Sequence, residues 1–150
     1  RAVDRIFGLL TAYPELAAAG VAFPAGADPG DLLLAPGGLA RLRAVLASAP
    51  PLLHLVVEYR MDRILDRAPL ALTEVPGRMA IGRALAPLLG EQPPAAAVAA
   101  LRHAGVYAAA LARRTGDRDR AGELAGAVRF ALATAVVSYL ETRPGGAGAR

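Results

Sequence analysis

The residues whose types best suit chemistry stand together in one acidic turn. Asp28 and Asp31 flank Pro29 and Gly30, and a short apolar segment, 20–23, precedes them. This order predicts a strand end followed by a tight turn, where α/β proteins place many catalytic loops, and carboxylates there suit Mg²⁺. In a second interpretation, which the spacing alone favours, Asp28 bonds its own backbone and Asp31 caps a helix.

Three further carboxylates, Glu58, Asp62 and Asp66, recur every four residues, which places them on one face of a predicted helix. Like charges at this spacing repel each other, so a bound cation or a partner would relieve the repulsion. A charged stripe on a helix is also typical of a face turned toward solvent, and this is the interpretation that we favour.

Arginines form the second set of candidate functional residues. The chain has 17 basic residues, all of them arginine, against 13 acids, and the net charge of +4 lies wholly in residues 101–150. Guanidinium groups bind nucleic-acid phosphates, but aromatic residues that would stack on bases are scarce. A solubilised helix surface explains the same excess of charge. The candidate phosphate-binding residues are Arg78, Arg83, Arg102, Arg113, Arg114, Arg118 and Arg120.

Other catalytic or metal sites find little support in the sequence. The absence of cysteine excludes thiolate sites and disulfides. His54 and His103 have no carboxylate or nucleophile at local spacing, so we expect both to be packing or surface residues. Ser48 and Ser138 lack the context of an activated nucleophile, and there is no P-loop. We therefore assign no catalytic residue within this chain.

Apolar spacing predicts helices along most of the chain. The one strand candidate is Val21–Phe23, which is too short to be stable alone. Thr73 is expected to cap one helix and Asp117 or Asp119 the last one, and Gly116 is expected to be left-handed. The segment 95–115 is read as one kinked helix or two short ones. The other predicted helices cover residues 2–13, 39–47, 50–68, 73–89 and 117–140.

The composition indicates how these helices pack. Hydrophobic residues make up 55% of the chain, but aromatic residues only 5%, and there is no tryptophan. The core must therefore consist of alanine, leucine and valine, which suits closely packed helices. Uninterrupted apolar runs are about ten residues long, shorter than the roughly 20 that span a bilayer, and nothing resembles a signal peptide. We expect a cytoplasmic protein that does not contact a membrane.

The order of several short motifs resembles bacterial replicative DNA primases of the DnaG type, in which a helical subdomain follows a TOPRIM fold. The similarity spans roughly residues 1–116 and begins with a helix like the one that follows the family's D-x-D-x-A-G loop. The family's G-x-D-P-x-D-L is matched by Gly26, Asp28, Pro29, Asp31 and Leu32. Its L-D-T-P-E-G-R and the following A-P-L/V are matched by Leu72, Gly77, Arg78 and Ala86-Pro87-Leu88. Its Y-A-x-x-L-A and nearby glycine are matched by Tyr107, Ala108, Leu111, Ala112 and Gly116.

Some positions depart from the family pattern. Ala25 and Gly30 stand where the family usually or often has an acid, and Pro76 replaces the glutamate of the second motif. The family's main catalytic carboxylates, a glutamate and a D-x-D pair, hold two divalent ions for nucleotidyl transfer and lie upstream of the residue at which this chain begins. We therefore expect a piece of a longer protein, inactive by itself.

The resemblance implies a mainly α fold, in which a helical bundle subdomain is appended to the truncated βα end of a TOPRIM fold. Residues 1–34 would be the end of the TOPRIM-like α/β unit, and residues 35–116 the helical subdomain. Residues 117–142 would form a long C-terminal helix, and residues 143–150 a disordered tail.

The resemblance also implies an activity for the longer protein, the synthesis of short RNA primers on single-stranded DNA from nucleoside triphosphates. Mg²⁺ or Mn²⁺ would serve the longer protein, with Asp28 and Asp31 as outer metal ligands, whereas no cofactor is expected for the chain alone. A replicative helicase is a further expected partner.

Two alternatives belong to different functional classes. The chain could be a noncatalytic helical module that docks a helicase or another replication protein through the exposed face of its last helix. It could also be a helical regulator of duplex DNA, but no helix-turn-helix with polar base-reading residues is recognisable. We rank the regulator last.

Overall fold

A computed structural model describes residues 2–10, 18–21, 23 and 28–143. These residues form seven α-helices and one short 3₁₀ helix, Pro69–Leu72. The α-helices are α1 (Ala2–Leu10), α2 (Pro29–Leu34), α3 (Gly38–Ala47), α4 (Leu52–Leu65), α5 (Val75–Gly90), α6 (Pro94–Arg114) and α7 (Ala121–Thr142). The prediction of a mainly helical protein is confirmed.

The chain divides into two compact units, residues 1–56 and 57–150. No observation tests the predicted divisions at 34, 116 and 142, so they stay predictions. The disordered tail predicted for residues 143–150 falls, except for its first residue, outside the part of the chain that the structure describes.

The predicted strand is not found among the residues described in the first unit. Val21 and Phe23 lie in irregular backbone, and Ala19 forms an isolated antiparallel bridge with Pro51. Two backbone hydrogen bonds flank this bridge, from Gly20 N to the Pro50 carbonyl and from Leu52 N to the Ala18 carbonyl, at 3.0 and 2.8 Å. On the Pro51 side the bridge cannot extend further, because α4 begins at the next residue, Leu52. The TOPRIM part of the predicted fold therefore stays a prediction.

The second unit is organised around α7, which packs against both α5 and α6. Four apolar residues form a stripe at helical spacing along α5, and all four are buried. A similar stripe of five residues runs along α7, and four of them are buried while Tyr139 is only half-buried. The buried members of the two stripes are Ile81, Leu85, Leu88 and Leu89 on α5, and Leu124, Val128, Leu132 and Val136 on α7.

Alanine and glycine let α6 approach α7 closely. The buried residues of α6 are five alanines and one glycine, with no larger side chain among them. A Cβ at Gly105 would lie 2.9 Å from the carbonyl oxygen of Ala125, so only glycine fits this crossing. The segment 95–115, predicted as one kinked helix or two short helices, lies in a single helix that ends at Arg114. Gly105 does not interrupt this helix, because it lies at the contact with α7.

Two predicted helix caps are wrong. The N-cap of α5 is Glu74, and the Thr73 hydroxyl instead donates to the Leu70 carbonyl oxygen at 2.9 Å. Helix α7 begins after Arg120, which makes no side-chain capping bond. Asp117 and Asp119 lie too early to cap it, because the turn before α7 is longer than predicted. Gly116, in that turn, has a φ of +90°, which confirms its predicted left-handed conformation.

Helices α6 and α7 also have the length and mean hydropathy, 1.4 each, of helices able to cross a membrane. Uninterrupted apolar runs in the sequence are shorter than these helices, because a membrane-spanning helix can contain a few charged residues. Core helices of soluble proteins meet the same criteria, and 39% and 33% of the two apolar windows are buried inside the protein. The expected absence of membrane contact stays a prediction, as does a cytoplasmic location.

Candidate functional site

The acidic turn forms a helix cap. Asp28 is the N-cap of α2, and its Oδ1 accepts a hydrogen bond from the backbone N–H of Asp31 at 2.9 Å. In return, Asp31 Oδ2 accepts from the backbone N–H of Asp28 at 3.2 Å. Pro29 occupies the first turn, where a missing N–H costs nothing. Both aspartates therefore have a structural role in a reciprocal capping box.

These two aspartates do not make a metal site by themselves. Each uses one carboxylate oxygen in the capping box, and both residues are exposed. The described residues contain no group of three or more acidic, histidine or cysteine side chains arranged to hold a metal ion. Mg²⁺ takes six oxygen ligands in near-octahedral geometry. The metal role of Asp28 and Asp31 stays a prediction about the longer protein.

The second motif joins the 3₁₀ helix to α5. The Arg78 guanidinium donates from Nη1 to the Leu72 carbonyl oxygen at 2.9 Å and is partly buried. A Cβ at Gly77 would lie 2.5 Å from the carbonyl oxygen of Ala71, so this contact requires glycine. Leu72, Gly77 and Arg78, which match the family motif, thus lie where the 3₁₀ helix contacts the start of α5.

The third motif lies along α6 and the turn that follows it. Ala108 and Ala112 are buried, and the Tyr107 hydroxyl donates to Asp62 Oδ1 at 2.6 Å. Gly116 supplies the left-handed conformation that ends the helix. Most of the motif therefore has a packing or turn-forming role.

Glu58 and Asp62, the two carboxylates within α4, face α6. The interpretation of a face turned toward solvent is therefore wrong for these two residues. Glu58 Oε1 lies 2.7 Å from His103 Nε2, and Asp62 accepts a hydrogen bond from Tyr107. Each pair is partly buried. Asp66, one turn further along, is exposed as predicted. Partners on another helix relieve the repulsion between these carboxylates.

His103 has no carboxylate at local spacing and was expected to be a packing or surface residue, but it pairs with Glu58, which lies 45 residues away in sequence. Local spacing cannot detect such a contact. A signal was nevertheless present, because Glu58 and Asp62 are four residues apart, as are His103 and Tyr107. Matching spacing of complementary groups on two predicted helices is the pattern that would have identified the pairing.

The environment of Tyr107 strongly favours its protonated form. Burial is the largest cause of the raised pKa of Tyr107, and its hydrogen bond to Asp62 is the next. The negative charges of Asp62 and Glu58 raise this pKa further, while Arg114 lowers it. The hydroxyl therefore stays protonated to higher pH than an ordinary tyrosine and remains a donor to Asp62.

The structure gives the candidate arginines different roles. Arg78 is committed to a backbone carbonyl, and Arg83 Nε donates to the Met79 carbonyl oxygen at 3.4 Å. Arg120 lies between Asp117 and Glu123, at 3.7 and 3.8 Å. The remaining members of the set, Arg102, Arg113, Arg114 and Arg118, are exposed.

Only part of the predicted arginine set is therefore brought together. Arg113, Arg114 and Arg118 cluster at the end of α6 and in the turn that follows it. Arg102 lies about three turns away on the same helix. We call Arg113, Arg114 and Arg118 the terminal arginine cluster, and all three side chains are exposed.

Comparisons with known proteins add no relative. No family model matches the chain, no curated protein matches it, and no solved structure matches it. The resemblance to primases therefore rests on the motifs and their order alone.

Proposed function

We propose that this chain is the helical part of a TOPRIM-type DNA primase, which makes short RNA primers on single-stranded DNA. The observation that carries the proposal is the set of three motifs in the family's order. Their residues have defined roles in the folded chain: Asp28 and Asp31 cap α2, Gly77 and Arg78 fix the 3₁₀ helix, and Tyr107 bonds to Asp62.

The role of this part in the reaction is supportive. The carboxylates expected to hold the catalytic metals belong to the longer protein, and no step of nucleotidyl transfer is assigned to a residue described here. The helices would carry the terminal arginine cluster and position it beside the nucleic acid. Guanidinium groups neutralise phosphates without reading bases.

The direct test is primer synthesis by the protein translated from the complete reading frame that contains these residues. It is incubated with single-stranded DNA, labelled nucleoside triphosphates and Mg²⁺. We expect short RNA products that depend on the template and on the metal. A folded protein that makes no primer under these conditions would refute the proposal.

Asp28→Asn separates the metal role of Asp28 from its capping role. Asparagine is as good an N-cap as aspartate, so the stability should change little, while the negative charge is lost. We expect primer synthesis by the longer protein to fall and to recover partly as Mg²⁺ is raised. Asp28→Ala is the control that removes the N-cap as well as the charge, and we expect it to lower the free energy of unfolding by about 1 kcal/mol. Unchanged synthesis by Asp28→Asn would leave Asp28 with a structural role only.

The terminal arginine cluster should bind single-stranded DNA weakly and in a salt-dependent way. Residues 102–129 contain six arginines and three acids. Changing Arg113, Arg114 and Arg118 to alanine should reduce the slope of log affinity against log salt by about 2, since each phosphate contact contributes about 0.7 on a single strand. Fluorescence anisotropy at several salt concentrations measures the slope.

The matched control for this experiment removes the same charge elsewhere. Arg41, Arg43 and Arg67 are exposed and lie outside the cluster. Replacing these three arginines by alanine should lower the affinity for single-stranded DNA less than the cluster variant does. It should also reduce the slope of log affinity against log salt by a smaller amount. If the two triple variants behave identically, binding follows net charge and the cluster has no special role.

One observation favours the second candidate function, a noncatalytic module that docks a replicative helicase. The outer face of α7 carries Phe130, Val137 and Leu140, which are 74%, 54% and 43% exposed. Exposed apolar side chains at helical spacing are typical of a helix-in-groove interface.

If the chain is a docking module, Phe130→Ser abolishes co-migration with the cognate helicase in gel filtration. The control Leu46→Ser, which changes an exposed leucine outside α7, does not. Helicase binding without any primer synthesis by the longer protein would select this function over the first.

A further inference from the structure

A pocket of about 290 Å³ lies within the second unit. It is bounded by the end of α4, the 3₁₀ helix, the end of α6 and the start of α7. Most of its lining is aliphatic, contributed by Leu65, Leu72, Leu111 and Leu124. The volume is close to the lower limit for sites that bind small molecules, so the pocket suits a small ligand and not a helix.

The polar side chains around this pocket offer hydrogen-bond acceptors to a ligand, because the hydroxyl donors among them are already used. Asp62, Asp66 and Asp117 contribute carboxylates. The Thr73 hydroxyl already donates to the Leu70 carbonyl oxygen, and the Thr115 hydroxyl lies within 3.2 Å of two carbonyl oxygens of its own helix. Among the described residues, no arginine, lysine or histidine lines the pocket. A ligand that satisfies such groups must be a donor, and one that matches their charge must be a cation.

The carboxylates stand on different parts of the wall. Asp62 belongs to α4 and Asp66 directly follows that helix, whereas Asp117 lies in the turn between α6 and α7. Asp117 is partly buried and pairs with Arg120 at 3.7 Å, but the Arg120 side chain is exposed, and an ion pair with an exposed partner is weak. A ligand with a cationic group at each end can therefore meet both walls while its middle covers the leucines.

We propose that this pocket binds a free aliphatic diamine, with its methylene chain on the leucines and its ammonium groups at Asp66 and Asp117. Each ammonium group donates up to three hydrogen bonds, which matches an acceptor-only rim. The apolar surface favours the methylene chain over a metal ion of the same charge. This site is independent of primer synthesis, since none of the candidate phosphate-binding residues lines it.

The test is a titration of the folded chain with cadaverine, followed by the methyl resonances of Leu111 and Leu124 in NMR spectra. We expect saturable shifts of these methyl groups and affinity that falls as salt rises. Pentylamine, which has the same chain and one ammonium group, should bind several-fold more weakly, because one ionic contact is lost. The absence of saturable shifts with cadaverine, or equal affinity for pentylamine, would overturn the proposal.

Charge variants locate the site. Asp66→Asn combined with Asp117→Asn should weaken cadaverine binding roughly tenfold, as expected for two partly exposed ionic contacts. Asp119→Asn is the matched control, because Asp119 is exposed, lies two residues from Asp117 and does not line the pocket. Thermal unfolding confirms that each variant is folded. Equal weakening by the control would overturn the proposal by showing general charge attraction.

A lysine side chain offers the same alkylammonium group from a different source. N-acetyl-lysine methylamide represents that source in a parallel titration. We expect it to bind more weakly than cadaverine, since it has one ammonium group and a bulky amide end. Tighter binding of the lysine derivative would overturn the assignment to a free diamine and indicate a peptide ligand.

Discussion

Replacing Gly82 by alanine is expected to destabilise the second unit by about 1–3 kcal/mol, the usual cost of overpacking a core. A Cβ at Gly82 would lie 2.8 Å from the carbonyl oxygen of Ala131 and 3.2 Å from the Ala135 Cβ. The nearest of these atoms belongs to the backbone of α7, so no side-chain rotation can relieve the clash. Helices α5 and α7 would have to move apart along their shared core.

The matched control is Gly126→Ala on α7. No atom lies within 4 Å of a Cβ built at Gly126, so the added methyl group meets nothing. Alanine in a helix interior is favoured over glycine by roughly 0.5–1 kcal/mol, and we expect the control to be stabilised by about that amount. Urea unfolding of both variants measures the difference. A Gly82→Ala variant as stable as the control would mean that α5 and α7 are not in such close contact.

Much of the helical architecture could be predicted, because it depends on local patterns. The stripe of Ile81, Leu85 and Leu89 follows helical spacing, and its members are fully buried. The left-handed Gly116 was predictable because glycine alone adopts that conformation freely at a helix end. Patterns of this kind are contained within one helix or turn, and sequence displays them directly.

The glycines inside helices show what local patterns leave out. Gly82, Gly105 and Gly126 look alike in the sequence, as single glycines within helical segments. The first two lie where another helix approaches, and the third faces open space. The difference depends on which faces of α5, α6 and α7 meet, and this is decided by packing across the unit and not by propensity.

The candidate site could be predicted only in part, for a related reason. One of the two interpretations of Asp28 and Asp31 gave them a structural role, but it placed the helix cap at Asp31, whereas the N-cap is Asp28 and Asp31 is the third residue of the helix. The pairing of Glu58 with His103 was missed, because the sign and spacing of charges on one helix do not reveal the helix that faces it. Pairwise matching of predicted helix faces would have supplied the missing step.

Tyr107→Phe is expected to destabilise the second unit by about 1–3 kcal/mol at neutral pH. The variant keeps the ring but removes the hydroxyl that donates to Asp62 at 2.6 Å. Asp62 would then lose a donor in a partly buried position, and a lost partner of this kind has about that cost. Tyr139→Phe is the control, because the Tyr139 hydroxyl donates to Glu91 at an exposed position and water can replace it there.

The loss of stability caused by Tyr107→Phe should become smaller at alkaline pH. The pKa of Tyr107 is raised in the folded protein above the ordinary tyrosine value of 10.0. The stability that this raised pKa provides is therefore fully present below pH 10 and is lost as pH rises further, because the unfolded chain then loses the proton first. Phenylalanine has no such proton, so the stability of the variant should approach that of the native protein.

The composition makes this measurement unusually clear. All 17 basic residues are arginine and there is no cysteine, so side chains other than tyrosine titrate little between pH 9 and about 11. Urea unfolding followed by circular dichroism across that range gives the stability of both proteins. If the difference between them stays constant with pH, then Tyr107 is not held in its protonated form by the fold, and the α4–α6 contact is looser than its short hydrogen bond implies.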